Sequence, residues 1–216
     1  MIEVQRFENQ MIASVCYLVY CADSGRCVVI DPGSEKSIHE IDFIERKNLN
    51  LDYILLTHEH TDHTWGVNAL LEKYPQAKVV CSMSCKEALN KEARYFFQYY
   101  FDNSEYSYRV SRVDYTTDAL GGLIAWDGRV IRFYDTPGHC KGSVCIEIEG
   151  LLFGGDTLMP YKPYIKKQLG GSVEDYRSSL LFLLNQFDLD TVVYPGHGEK
   201  TSLKALLPYY SRILKA

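Results

Sequence analysis

No apolar run in this 216-residue chain approaches the roughly 20 residues that a membrane helix needs, so a bilayer is not an expected partner. Positive charge is not in excess either. Lys and Arg number 23 against 28 Asp and Glu, and the net charge of −5 argues against a nucleic-acid surface. Met1-Ile2-Glu3-Val4-Gln5 has neither the basic start nor the apolar core of an export signal, so a cytoplasmic location is expected. The seven cysteines are odd in number and scattered. Only Cys81 and Cys85 stand at a metal-pair spacing, and no second pair answers them. They read as reduced thiols on a strand edge or helix. No internal repeat, low-complexity tract or linker interrupts the chain. Hydrophobic residues make up 46% and charged residues 24%, enough for a sizeable core and too apolar for disorder, and the length suits one domain over 1–216.

What is present begins as sheet. Cys16–Tyr20 and Cys27–Ile30 are rich in β-branched and aromatic residues, with turn chemistry at Asp23-Ser24-Gly25-Arg26 between them, so residues 2–31 predict antiparallel strands. Ile38, Ile41 and Ile44 recur at helical spacing and predict an amphipathic helix over 37–48. His39 lies off that stripe and reads as a solvated surface residue. Tyr53–Leu56 predicts a buried strand, Trp65–Tyr74 a helix, Lys78–Cys81 a strand and 85–101 a helix. Further strands are expected at Val130–Tyr134, at Ser143–Ile148 paired through Glu149-Gly150 with Leu151–Phe153, and at Val192–Tyr194. Helices are expected across Val173–Phe187 and from about Ser202. Between Tyr95 and Tyr115 the chain carries nine Tyr and Phe residues, including Tyr99, Tyr106 and Tyr108. That density suits a pocket wall or a contact with a second copy of the chain in a homodimer, as well as plain packing.

The chemistry concentrates at Thr57-His58-Glu59-His60-Thr61-Asp62-His63, straight after the buried strand. One histidine alone is usually a surface or core residue. Three imidazoles and two carboxylates in seven residues waste charge and polar groups unless they meet a metal. His139, Asp156 and His197 follow later strands, each preceded by Pro-Gly or Gly-Gly, whose tight turns present them. His58, His60, Asp62, His63, His139, Asp156 and His197 are thus seven ligands from four strand ends at one sheet edge. Seven is too many for one four-coordinate zinc and suits two metals sharing a carboxylate. Asp31, in Asp31-Pro32-Gly33, is either a plain turn residue or a support for the ligands.

With these motifs, from Asp31-Pro32-Gly33 to Pro195-Gly196-His197-Gly198, the chain resembles the metallo-β-lactamase superfamily, and within it the small glyoxalase II-like (hydroxyacylglutathione hydrolase-like) hydrolases. The resemblance implies an α/β fold, an αββα sandwich with the metals at one edge. It implies that His58, His60 and His139 hold one metal, that Asp62, His63 and His197 hold a second, and that Asp156 bridges them. It also implies that Asp31 supports the ligands from behind. β-Lactamases of this fold usually carry Cys or Ser where Asp156 stands, whereas thioesterases, lactonases and other esterases carry Asp. The expected function is therefore a metal-dependent hydrolase of a small acyl substrate, a thioester, ester or lactone. Asp62 and Asp156 are its catalytic carboxylates and two divalent ions its cofactors. Zinc is expected first, with iron or manganese also suited to nitrogen and oxygen donors. Cys140 reads as a bystander, since a metal-activated water supplies the nucleophile. Lys162, Lys166 and Lys167 are candidates to meet an anionic substrate. The competing readings are a mononuclear iron enzyme resembling persulfide dioxygenases and a binding protein that retains the fold.

Overall fold

The computed structural model describes residues 1–10, 12–89, 107–119, 121–167 and 170–215. One six-stranded sheet runs in chain order through β1 (Ile2–Glu8), β2 (Val15–Cys21), β3 (Arg26–Ile30), β4 (Asn50–Leu55), β5 (Lys78–Cys81) and β6 (Tyr115–Thr116). β1 to β3 are antiparallel, as expected; β3 to β6 are parallel. The second sheet holds β7 (Leu123–Trp126), β8 (Arg129–Asp135), β9 (Val144–Ile148), β10 (Leu151–Gly155), β11 (Val192–Pro195) and β12 (Thr201–Ser202), again with chain neighbours side by side. Only β10 and β11 pair in parallel there. Parallel pairs need crossovers. Helices α1 (Ile38–Arg46), α2 (Thr61–Thr64), α3 (Val67–Lys73) and α4 (Met83–Leu89) belong to the first sheet, and α5 (Val173–Gln186) and α6 (Leu203–Leu214) to the second.

β2 shows how the layers arise. All seven of its residues are buried, so both of its faces must be covered. Cys16, Leu18 and Tyr20 pack with Phe43, Ile44, Val67, Leu70 and Leu89 from the helices. The alternate residues Val15, Tyr17, Val19 and Cys21 pack with Ile131, Phe133, Val144, Ile146 and Phe153 of the second sheet. On that sheet's far side Cys145, Leu152 and Val193 meet Tyr176, Leu180 and Leu183 of α5 and Leu203, Leu206 and Tyr210 of α6. The result is the αββα sandwich expected from the sequence.

Several expectations shift in detail. The stripe of α1 is not Ile38, Ile41 and Ile44, because Ile38 is 53% exposed. The buried face runs through Ser37, Glu40, Phe43 and Ile44, and a buried glutamate interrupts the apolar pattern. His39 is exposed, as read. The helix expected over Trp65–Tyr74 is α3, Val67–Lys73, and the short α2 before it, Thr61–Thr64, lies in the stretch read as a loop. β6, β7 and β12 were not anticipated. Most of the aromatic stretch lies outside the described residues. Of the two members that lie within them, Tyr108 is buried, its hydroxyl donating to the Thr64 carbonyl, and Tyr115 is exposed.

Candidate metal centre

The C-terminal ends of strands from both sheets meet at one edge of the sandwich, so the ligands do not come from one sheet. β4 of the first sheet delivers His58, His60 and, on α2, Asp62 and His63. β8, β10 and β11 of the second deliver His139, Asp156 and His197. All seven residues come together. His58 Nε2 and His139 Nε2 lie 3.1 and 3.0 Å from His60 Nδ1. His63 Nε2 lies 3.2 Å and His197 Nε2 3.3 Å from Asp62 Oδ2. Asp156 stands between the groups, with Oδ2 3.4 Å from His139 Nε2 and Oδ1 3.4 and 3.6 Å from the Nε2 atoms of His63 and His197. His58, His60, His139 and Asp156 form one set able to hold an ion, and Asp62, His63 and His197 another. Gly196 allows the close approach, since a Cβ there would lie 2.3 Å from Asp156 Oδ1.

Outer hydrogen bonds fix the tautomers of His58, His63 and His139. The Thr57 hydroxyl donates to Asp31 Oδ2 at 2.5 Å, which leaves its lone pair to accept from His58 Nδ1 at 3.0 Å. His63 Nδ1 donates to the same Asp31 Oδ2 at 3.0 Å, and His139 Nδ1 to the Tyr164 carbonyl at 2.8 Å. Nδ1 thus carries a proton in each, and Nε2 faces inward. Asp31 with His58 and His63 is also a geometric ligand group, but Asp31 already accepts from Thr57 N–H, Thr57 O–H and His63, so it is the support rather than a ligand.

His63 Nε2 and Asp156 Oδ1, both buried, find no well-aligned hydrogen bond and have only ion-pair contacts at 3.2, 3.4 and 3.6 Å. Divalent cations are what this donor set fits: nitrogen and carboxylate oxygen, with no thiolate. Titration follows the same geometry. Burial, then the neighbouring imidazoles His63, His60 and His139, push His58 well below the ordinary histidine range. Burial and His139 lower His60 to about 4. Burial alone would also lower His63, but Asp62 and Asp156 outweigh it and raise it well above that range. Burial would raise Asp62, yet the His63 charge and hydrogen bonds from His197 and His63 hold it well below the usual carboxylate range. Without metal, one proton on His63 thus offsets part of the carboxylate charge, and a bound cation takes its place.

Two features escaped the sequence reading. Tyr161, 40% exposed, faces the centre: burial and then the charges of Asp156 and Asp62 push its hydroxyl up. Glu59 points away from the ligands and accepts from Cys140 Sγ at 3.1 Å. The Cys140 thiol is itself pushed well up by burial and by Glu59, which suits a bystander. Lys162, Lys166 and Lys167 are exposed on the loop whose Tyr164 carbonyl holds His139, with Lys166 Nζ 4.8 Å from the Tyr164 ring centre.

A family model described as the metallo-beta-lactamase superfamily matches residues 11–197. The probable polyketide biosynthesis zinc-dependent hydrolase BaeB of Bacillus velezensis is 29% identical over 203 residues, 91% of this chain and 79% of that protein. A hydroxyacylglutathione hydrolase of Francisella tularensis subsp. novicida is 31% identical over 193 residues, 88% of this chain. The chain spans 65% of that enzyme, so it matches under two thirds of its length. Among solved structures, the BLEG-1 B3 metallo-beta-lactamase superposes with a TM-score of 0.85 at 22% identity, over 98% of this chain and 100% of its own, a likeness of fold. Among the described residues no helix is long and apolar enough to cross a membrane.

Proposed function

The chain belongs to the metallo-β-lactamase superfamily, as a metal-dependent hydrolase with a His/Asp metal-binding centre, and on that premise we propose that it uses two divalent metals to hydrolyse an acyl bond, a thioester in preference to an ester or lactone. The observation that carries this reading is Asp156, whose two oxygens face different ligand sets. In the proposal His58, His60 and His139 hold one metal, Asp62, His63 and His197 the other, and Asp156 both. Bound there, divalent ions supply Lewis acidity toward a carbonyl and a water acidic enough to attack at neutral pH.

The protein's own residues orient the reaction. Asp31 and Thr57 hold His58 and His63 in the ligating tautomer. Asp62, kept ionised, accepts a hydrogen bond from the attacking water and aims it. Five of the six histidines lie in the centre and the sixth, His39, is exposed, so no imidazole remains as a general acid. A thiolate leaves without one, and this favours a thioester. Asp156 in place of Cys or Ser points the same way. Lys162, Lys166 and Lys167, on the loop whose Tyr164 carbonyl holds His139, suit an anionic thiol carrier. The names of the Bacillus and Francisella relatives, a zinc-dependent hydrolase and a hydroxyacylglutathione hydrolase, support zinc and a thioester. Seven free, buried cysteines support a reducing, cytoplasmic setting. The test is an activity screen of metal-loaded protein across anionic thioesters, lactones, phosphodiesters and β-lactams. Thioester hydrolysis lost on chelation and restored by zinc, manganese or iron is expected. Fast β-lactam turnover with no thioester activity would overturn the proposal.

A further inference from the structure

The hydrogen bonds behind the second ligand set lead away from the motifs, to the turn between β1 and β2. Asn9 is 3% exposed and Ser14 fully buried. Asn9 Nδ2 donates to Ser14 Oγ at 3.0 Å and lies 3.4 Å from the backbone carbonyls of both Asp31 and Asp62. Its Oδ1 accepts from the Gly33 N–H and the Ser34 hydroxyl, each at 3.1 Å. Ser14 Oγ donates in turn to the Asp62 carbonyl at 2.5 Å. Ser14 also forms an isolated antiparallel bridge with His197, and the Val15 N–H donates to the Gly196 carbonyl at 2.7 Å. One turn therefore grips the backbone of Asp31, which orients His63 and, through Thr57, His58, and that of Asp62 and His197, which are themselves in the second set.

This grip compensates for a weakness. Asp62 and His63 ride on α2, a four-residue helix with no side-chain cap, too short to fix its own direction. The chain around it is packed without slack: a Cβ on Gly33 would lie 1.6 Å from the Asp62 carbonyl oxygen. Ile12 and Ala13, with φ of 44° and 52°, sit in the left-handed region, a strain that persists only where surrounding contacts hold it. The side chains of the first set are tied differently, His58 through Thr57, His139 through the Tyr164 carbonyl. None of the hydrogen bonds of Asn9 or Ser14 reaches His58, His60 or His139.

We propose that Ser14, itself held by Asn9, is a positioning residue for the second metal: it holds the Asp62 carbonyl, and with it α2, in register with His197. The inference rests on the two-metal reading above. Removing the Ser14 hydroxyl leaves the buried Asp62 carbonyl without its nearest donor, and the short helix is free to turn Asp62 and His63 away from His197, while the first set keeps its own ties.

Zinc affinities measured by chelator competition, on wild-type protein and on the Ser14→Ala and Asn9→Ala variants, test this. His197→Ala identifies which binding step belongs to the second set, and thermal unfolding of each metal-free variant records folding. Wild type is expected to show two steps. Ser14→Ala should weaken the second by about tenfold or more and leave the first at its wild-type value, whereas Asn9→Ala, which also frees the Asp31 backbone behind His58 and His63, should weaken both. Equal weakening of both steps in Ser14→Ala, or an unchanged second step, overturns the inference while leaving the two-metal reading standing. A single step in wild type overturns that reading and the inference with it. A merely structural role for the turn lowers the unfolding temperature without separating the two steps.

Discussion

Replacing Thr57 by valine isolates one link of the centre. Thr57 is 2% exposed, and valine keeps its shape, so no cavity opens. What is lost is the hydroxyl that donates to Asp31 at 2.5 Å and accepts from His58 Nδ1 at 3.0 Å. A hydrogen bond to a carboxylate is worth about 1.5–3 kcal/mol, and an unpartnered buried N–H costs about 1–3 kcal/mol. Asp31 keeps two other donors, Thr57 N–H and His63, so part of the first loss is absorbed. The metal-free variant should therefore be less stable by about 2–4 kcal/mol. With no acceptor at Nδ1, the His58 proton is free to move to Nε2, the atom that faces the metal. Metal affinity should fall by about 10- to 100-fold, or about 1.4–2.8 kcal/mol. Chelator competition measures the affinity, and denaturant unfolding of metal-free protein measures the stability. Wild-type affinity in Thr57→Val would show that the Asp31–Thr57–His58 chain does not orient His58.

Asp156→Ala should abolish turnover and weaken both metal sites by removing the carboxylate common to them, whereas His39→Ala, at an exposed position of α1, should change neither metal content nor rate; equal damage from the two would mean the histidines are misassigned. Glu40 gives a pH dependence remote from the metals. Its carboxyl faces the sheet with Oε2 unpartnered, and burial raises it above the usual carboxylate range. A raised folded value means the native state holds the proton longer, so this group's contribution is fully present below the unfolded value of about 4.3 and is lost as pH rises through the folded one. Glu40→Gln should therefore stabilise the metal-free protein at pH 8 and show that gain shrinking toward pH 4 in denaturant unfolding. An equal gain at both pH values would contradict a neutral buried Glu40.

The ligands were legible because their spacing is itself chemical. His58-Glu59-His60-Thr61-Asp62-His63 packs too many polar groups after a buried strand to be anything bland, and Pro-Gly or Gly-Gly before His139, Asp156 and His197 marks the turns. The strands of the inner core were legible because runs of β-branched, aromatic and other apolar residues such as Cys16–Tyr20 and Cys27–Ile30 have few other uses. α1 was misread because hydropathy cannot show that Glu40 turns inward while Ile38 faces water. Assigning all ligands to one sheet edge failed because sheet membership depends on pairing over long sequence distances, and β4 pairs with β3 and β5 rather than with β8 or β10. No motif singles out Asn9 or Ser14, and only the fold shows that their partners lie as far away as Asp62 and His197.

The measurement that bears most directly on the central claim is metal stoichiometry. Elemental analysis of protein reconstituted with excess zinc and then freed of unbound metal should give two ions per chain, because Asp156 offers one oxygen to each ligand set. Saturation at one ion per chain, with His197 turned away from the centre in a crystal of the loaded protein, would contradict it.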